Sequence, residues 1–135
     1  MMTRLILWLT CLVLMAACAA PATSSLNGTT WRLQNIDGTA VTADVNATIA
    51  FVDGQFNGNG GCNSYGGMYT ATATTITFTL GQMTMMACMG PGGDTEIQYM
   101  AVLPQITTVS AQTDTQLTLG DAKNANRLVF TRITP

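Results

Sequence analysis

Residues 58–67 read GNGGCNSYGG, with five glycines in ten positions around a single cysteine. Three functional motifs come close to this stretch, and none of them fits. A dinucleotide-binding fingerprint would need a glycine at position 63, which is Asn63. A nucleophile elbow around Ser64 would need a glycine at position 62, which is Cys62. A phosphate-binding loop would have to end in Lys followed by Ser or Thr, and this stretch does not. The stretch is therefore predicted to be a glycine-rich bend, in which the backbone takes positive φ or packs closely against a neighbour.

The composition limits what such a bend can do chemically. The chain has 135 residues, enough for one domain, with 5 Lys and Arg against 7 Asp and Glu and no histidine. Without histidine there is no Ser-His-Asp or Cys-His catalytic pair and no histidine-ligated metal. The basic residues are scattered, whereas nucleic acid requires a basic patch. We therefore predict a protein with no enzymatic activity, no cofactor or metal, and no nucleic-acid partner.

The amino-terminal residues have the pattern of a targeting signal. A short basic region, Met1–Arg4, precedes the apolar run Leu5–Leu14, and LMAAC at residues 14–18 resembles a bacterial lipobox. The apolar run is shorter than the about 20 residues that a membrane-spanning helix needs. We expect residues 1–17 to be a cleaved lipoprotein signal peptide and Cys18 to be the lipidated first residue. The alternative is an ordinary secretory signal cut at an A-x-A-like site.

Lipidation of Cys18 would place the protein on a membrane. Acyl chains bury CH₂ groups at about 0.8 kcal/mol each, so a multiply acylated cysteine is a durable anchor. Ala19 follows the cysteine, where lipoproteins that stay in the inner membrane usually carry Asp. We therefore expect a bacterial cell-envelope protein, lipid-anchored in the outer membrane and facing the periplasm. Residues 18–25, small and polar, are predicted to be a tether, and residues 26–135 the folded domain.

The remainder of the chain is typical of a strand-rich domain. Short runs rich in Thr, Ile, Val, Phe and Tyr, broken by Gly, Asn and Asp, predict strands at residues 30–36, 47–52, 55–57, 68–73, 75–80, 83–87, 116–119 and 127–133. Alternation turns these residues inward: Trp31, Leu33, Asn35, Ile49, Phe51, Ile76, Phe78 and Leu80. One helix is predicted from an N-cap at Asp94, with Ile97, Met100 and Leu103 inward, to Pro104. The fold class is α+β: a mostly antiparallel, barrel-like sheet with one short α-helix.

Two cysteines, Cys62 and Cys88, lie in the predicted domain. In an oxidising envelope compartment an even pair favours one disulfide. The alternative is a redox-active thiol pair, but no basic residue lies nearby in sequence to lower a thiol pKa. We therefore predict a structural disulfide.

Methionines gather beside the second cysteine: Met83, Met85, Met86 and Met89 lie within seven residues of one another, and Met68 is not far away. Thioether and thiolate sulfurs are soft ligands that select Cu(I). A strand, however, would point alternate residues to opposite faces, so it could not bring all of these sulfurs together. Methionine is also an ordinary filler of cores, and core packing is the interpretation that we favour.

The domain as a whole resembles the META domain family, which includes the HslJ-type heat-shock proteins of the bacterial envelope. The resemblance starts at LNGTTWRL from residue 26, continues in GGCNSY from residue 60 and TMMAC from residue 84, and includes Glu96 with the helix after it. It implies an antiparallel α+β domain, frequently on a lipoprotein stem, with the two cysteines close together. The motif positions that it assigns are Trp31, Gly60, Gly61, Cys62, Asn63, Tyr65, Thr84, Met86, Ala87, Cys88 and Glu96.

The same resemblance bears on function. The family has no agreed catalytic activity, and its members are associated with envelope stress, heat shock and antibiotic tolerance. We therefore expect a non-enzymatic envelope lipoprotein that acts by binding an envelope protein. The alternative is a periplasmic module that binds a small ligand or Cu(I).

Overall fold

A computed structural model describes residues 26–134; the predicted signal peptide, Cys18 and the tether lie outside the described residues. The strands are β1 (Thr29–Ile36), β2 (Thr39–Ala40), β3 (Thr48–Val52), β4 (Gln55–Asn59), β5 (Ser64–Ala71), β6 (Ile76–Met83), β7 (Thr108–Gln112), β8 (Gln116–Gly120) and β9 (Leu128–Ile133). Helix α1 (Pro91–Val102) and a 3₁₀ turn (Leu103–Gln105) lie between β6 and β7. In this part of the chain no helix has the length and hydropathy of a transmembrane span.

All the strands belong to one antiparallel sheet in the order β6-β5-β4-β3-β1-β9-β8-β7, with β2 paired to β1. The sheet curls so that its two outermost strands approach each other, and a bridge joins Thr75 to Thr108. The result is a half-barrel with one helix, which confirms the predicted α+β class.

Tight turns set the strand register on one side of the sheet. Asp37-Gly38 and Asp53-Gly54 both have positive φ at both residues, 47° and 86° in the first pair and 49° and 79° in the second. Type I′ turns require this geometry, and their twist matches that of a two-stranded hairpin. Asp-Gly pairs favour such hairpin turns, and both pairs form them here.

The core fills the inside of the half-barrel with aromatic and branched side chains. The inward positions predicted for β1, β3 and the start of β6 are confirmed, because these side chains are buried: Trp31, Leu33, Ile49, Phe51, Ile76 and Phe78. Edge-to-face ring contacts, such as Phe56 with Phe78 at 5.1 Å between centroids, link strands across the core, here β4 with β6.

Two inward assignments are wrong, those of Asn35 and Leu80. In β1 the pairing with β9 shifts between Leu33 and Asn35, so Ile36 is buried in place of Asn35. A single extra residue exchanges the two faces of a strand. In β6 Leu80 pairs with Gly67 in the same register as Phe78, so no shift changes its face; it lies on the outermost strand of the sheet and is 42% exposed.

Two strand predictions also differ from the structure. The predicted strand at residues 83–87 is wrong, because β6 ends at Met83 and residues 84–89 are irregular. Strand β7 was not predicted: its sequence TVSAQ does alternate between polar and apolar residues, but Val109 is its only large apolar side chain.

The helix begins earlier than predicted, and of its three predicted inward residues Leu103 is buried, Met100 packs partly buried against the core and Ile97 is exposed. Its N-cap is Gly90, at φ 81°, and Pro91 opens the helix, so the Asp94 N-cap is wrong. Ile97 is 72% exposed, whereas Tyr99 is fully buried. The helix ends at Val102, which agrees with the predicted stop before Pro104.

Candidate functional site

A buried carboxylate joins the glycine-rich bend to helix α1. Glu96 is only 8% exposed, and its partners are N–H groups of the bend. Its Oε2 accepts hydrogen bonds from the backbone N–H groups of Cys62, at 3.2 Å, and of Asn63. Its Oε1 accepts a third hydrogen bond, from Asn63 Nδ2 at 2.7 Å. Hydrogen bonds to a charged acceptor are the stronger kind, so Glu96 ties the bend firmly to the helix.

The side chain of Asn63 extends this connection to residues 83–89, which we call the methionine segment. Its Oδ1 accepts from Met86 N–H at 2.7 Å and from Thr84 Oγ1 at 3.0 Å. Its Nδ2 donates to the Met86 carbonyl at 3.1 Å as well as to Glu96. Both amide hydrogens and both oxygen lone pairs are therefore used, and the amide pairs with Met86 as a neighbouring strand would.

Thr84 provides a second connection between the bend and the methionine segment. Its N–H donates to the Ser64 carbonyl at 2.9 Å, and its Oγ1 accepts from Ser64 N–H at 3.1 Å. The same hydroxyl donates to Asn63. These hydrogen bonds fix the start of the segment where regular strand pairing has ended.

Glycine allows the bend to sit directly against the helix. Gly61 has φ 122°, in the region that favours glycine. A Cβ at Gly60 would lie 2.9 Å from Glu96 Cγ, and one at Gly61 would lie 2.5 Å from the Gly92 carbonyl oxygen. The predicted close-packed bend is confirmed.

The two cysteines lie at the same junction. The Cα atoms of Cys62 and Cys88 are 6.2 Å apart, within the range compatible with a disulfide. A bond there would join the bend to the end of the methionine segment, just before helix α1 begins. The structure thus brings together the pair for which the sequence predicts a disulfide.

The other motif residues divide between this junction and the core. Tyr65 donates to the Thr48 carbonyl at 2.9 Å, and its hydroxyl lies 2.8 Å from that of Tyr99; burial raises the pKa of both phenols. Trp31 lies apart on β1, where its Nε1 donates to Thr29 Oγ1 at 2.6 Å. Ala87 is exposed, and nothing in the structure explains its place in the motif.

Tyr99 is the site residue that the sequence reasoning missed. It is fully buried and bonds to Tyr65, three residues along the helix from Glu96. Glu96, Tyr99 and Val102 follow one another at a spacing of three residues, which places them on one face of the helix. This spacing indicates the buried face of the helix only if a glutamate is allowed to be one of the inward residues.

The methionine side chains do not pack in the core, and the core-packing prediction is wrong. Met85 is 89% exposed, Met89 97% and Met86 62%, while Met83 and Met68 are also exposed. The chain leaves the sheet after Met83, so residues 84–89 run along the surface. Their backbone is held by Asn63 and their side chains face solvent.

This surface belongs to a half of the domain that carries no charge, which we call the uncharged half. Residues 54–93, which form β4, β5, β6 and the methionine segment, contain no Asp, Glu, Lys or Arg. Among residues 26–134, every exposed large hydrophobic side chain lies between Val52 and Ile97. Over the same range, no group of three or more His, Cys, Asp or Glu side chains could hold a metal.

Comparison with known proteins identifies similar sequences and folds. The family model described as META domain matches residues 24–134. A solution NMR structure of a protein from Burkholderia xenovorans is 32% identical, with a TM-score of 0.66, and the match covers 88% of this chain and 94% of that one. A second NMR structure is 22% identical, with a TM-score of 0.57 over 79% of this chain and 90% of the other, and shows a shared fold. Comparison with curated proteins finds no match.

Proposed function

This chain belongs to the META domain family, and on that premise we propose that it is a non-enzymatic binding module of the bacterial envelope. The contact surface for its partner protein, in this proposal, is the uncharged half. The family assignment agrees with the resemblance seen in the sequence. The partner, the envelope location and a role in stress are the proposal.

The observation that carries the proposal is the coincidence of exposed hydrophobic side chains with an absence of charge. Eight large hydrophobic side chains are exposed among residues 26–134, and all of them lie within or beside the stretch that has no charged residue: Val52, Met68, Leu80, Met83, Met85, Met86, Met89 and Ile97. Exposed apolar surface grouped in this way marks interaction sites, and depletion of charge is characteristic of the centre of an interface.

The methionine segment suits this purpose because its backbone is fixed while its side chains are adaptable. Hydrogen bonds from Asn63 and Ser64 hold Met86 and Thr84 in place. A segment ordered before binding loses less conformational entropy when a partner arrives. Methionine side chains have three rotatable bonds and can fit surfaces of different shape.

The chemistry of the junction supports binding over catalysis. The chain has no histidine, and both carboxylate oxygens of Glu96 accept hydrogen bonds from the bend. A carboxylate occupied in this way is not free to act as a base. In our proposal Cys62 and Cys88 form a structural disulfide, so they offer no nucleophilic thiol.

The location follows from the predicted anchor. A lipid on Cys18 and a tether to residue 25 would keep the domain within about 30 Å of the membrane surface. We propose that the partner is a protein of the envelope and that the interaction serves the response to heat or antibiotic stress.

Site-specific photo-crosslinking in living cells tests the proposal. A photoreactive amino acid replaces Met85 or Leu80 in the full chain, and Lys123 or Thr131, both exposed and outside the uncharged half, serves as the matched control. We expect a discrete crosslinked product from the first pair, with a higher yield after heat stress, and little from the control pair. Equal yields at all four positions would contradict the proposal.

A further inference from the structure

We propose that the methionine segment binds one Cu(I) ion through the thioether sulfurs of Met85, Met86 and Met89. This goes beyond partner binding and uses a different property of the segment, the chemistry of its sulfur atoms. Thioethers are soft ligands that suit Cu(I), whereas hard cations prefer carboxylate or carbonyl oxygen.

The backbone of the methionine segment does not force its side chains onto opposite faces, as a strand would. In a strand, side chains alternate between faces, and neighbouring methionines would point apart. Residues 84–89 are not a strand, because β6 ends at Met83 and the chain then runs irregularly to the start of α1. The side chains of the segment are therefore not confined to opposite faces of a sheet.

Exposure shows that these sulfurs are not engaged in packing. Met85, Met86 and Met89 are 89%, 62% and 97% exposed. A methionine side chain that stays in water contributes none of the stabilisation that its burial would give. Met83, at 37%, is the least exposed of the four and is still paired within the sheet, opposite Tyr65, so it is not one of the proposed ligands.

The backbone anchors lie between the proposed ligands and leave their side chains free. Met86 is held through its N–H and carbonyl by Asn63, and Cys88 lies beside Cys62. Met85 precedes the first anchor and Met89 follows the second. Because the backbone is held at both points, the flexible thioether side chains can converge on an ion with little further ordering of the chain.

The chemistry of binding predicts a distinctive pH dependence. A thioether carries no ionisable proton, so Cu(I) binding to Met85, Met86 and Met89 releases none and leaves a site with the charge of the ion. A site that used thiolates would release protons on binding and would weaken as the pH falls. Affinity that does not change between pH 7 and pH 5 would therefore distinguish thioether from thiolate ligands.

The test is a titration of the purified full chain with the Cu(I)–acetonitrile complex under nitrogen, in competition with bathocuproine disulfonate. Free thiols are alkylated first. We expect one bound Cu(I), the same affinity at pH 7 and pH 5, and more than about tenfold weaker binding in the Met85→Leu/Met86→Leu/Met89→Leu variant. Met68→Leu, which changes an exposed methionine outside the segment, is the matched control and should bind as the wild type does.

NMR of ¹³C-methyl-labelled methionine gives a second readout. Cu(I) should shift the methyl signals of Met85, Met86 and Met89 and leave those of Met68 and Met100 in place. Wild-type affinity in the triple variant, or affinity that falls at pH 5, would overturn the proposal. Crosslinking at Met85 or Leu80 needs no copper, so the failure of the copper proposal is distinguishable from the failure of the partner-binding proposal.

Discussion

Glu96 on helix α1 accepts hydrogen bonds from both the backbone N–H and the side-chain Nδ2 of Asn63 in the glycine-rich bend. The remaining hydrogen-bonding positions of the Asn63 side chain go to Met86 and Thr84. A single asparagine therefore connects the helix, the bend and the methionine segment. The exposed surface proposed for binding depends on this connection.

Replacing the carboxylate of Glu96 should destabilise the fold. In Glu96→Gln one of the two acceptor oxygens becomes an NH₂ group, so N–H groups of the bend lose their acceptor in a buried site. Hydrogen bonds to charged groups contribute about 1.5–3 kcal/mol, and we expect a loss of about 2–4 kcal/mol in the free energy of unfolding by urea. Asp94→Asn changes an exposed acid on the same helix and should stay within about 0.5 kcal/mol of the wild type. Equal effects of the two substitutions would rule out a special role for Glu96.

Asn63→Asp should be at least as damaging although the side chain keeps its size. The substitution removes both amide donors, which now serve Met86 and Glu96, and places a second carboxylate against the first. We expect a loss of about 3 kcal/mol or more, since a buried group loses its partners and like charges meet. Asn57→Asp, at an exposed position on β4, is the control, measured by the same urea unfolding. A tolerated Asn63→Asp would mean that Asn63 does not organise the junction.

The predicted disulfide is open to direct chemical test. In protein isolated without reductant, a proteolytic digest should contain Cys62 and Cys88 in one crosslinked peptide pair that disappears on reduction. In the chain-entropy model a closed loop of this length stabilises the fold by roughly 3.5 kcal/mol, so Cys62→Ala/Cys88→Ala should unfold at a lower urea concentration. Alkylation of both residues in unreduced protein would show that the bond is absent.

An ion pair on the charged side of the domain gives a prediction on pH. Arg127 contacts Asp37 at 2.8 Å, and this hydrogen bond lowers the pKa of Asp37. A lowered folded-state pKa contributes stability at neutral pH that is lost as the pH falls through that pKa. We expect Asp37→Asn to be less stable than the wild type by under about 1 kcal/mol at pH 7, and the difference to shrink as the pH falls below the usual pKa of an aspartate. Thermal unfolding across this range checks the trend, with exposed Asp44→Asn as the control; a difference that grew toward acid would contradict it.

The sequence predicted the hairpins well because local chemistry determines them. Asp-Gly pairs tolerate the positive φ that tight turns need, and alternation in β3 places Ile49 and Phe51 inward. It failed where a distant segment decides the outcome. A bulge opposite β9 turns Ile36 into the core, and no property of β1 alone indicates where that extra residue falls.

The candidate site was predictable in its members and not in its arrangement. The motif positions include Cys62, Asn63, Cys88 and Glu96, and the structure brings all four together. Helical periodicity counts apolar residues, so it selected Ile97 for the inward face. Glu96 is buried because N–H donors from a bend 33 residues away compensate its charge. Methionine exposure was missed for a similar reason, since hydrophobicity alone predicts burial.

Both proposed binding functions require a methionine segment that is exposed and yet held in one backbone conformation. The most direct test is ¹⁵N relaxation of the backbone amides of residues 84–89 in the full chain. We predict order parameters of about 0.85, equal to those of the strands, in the wild type, and lower values in Asn63→Ala. Values below about 0.6 in the wild type would show that the segment is flexible and that Asn63 does not hold it in one conformation.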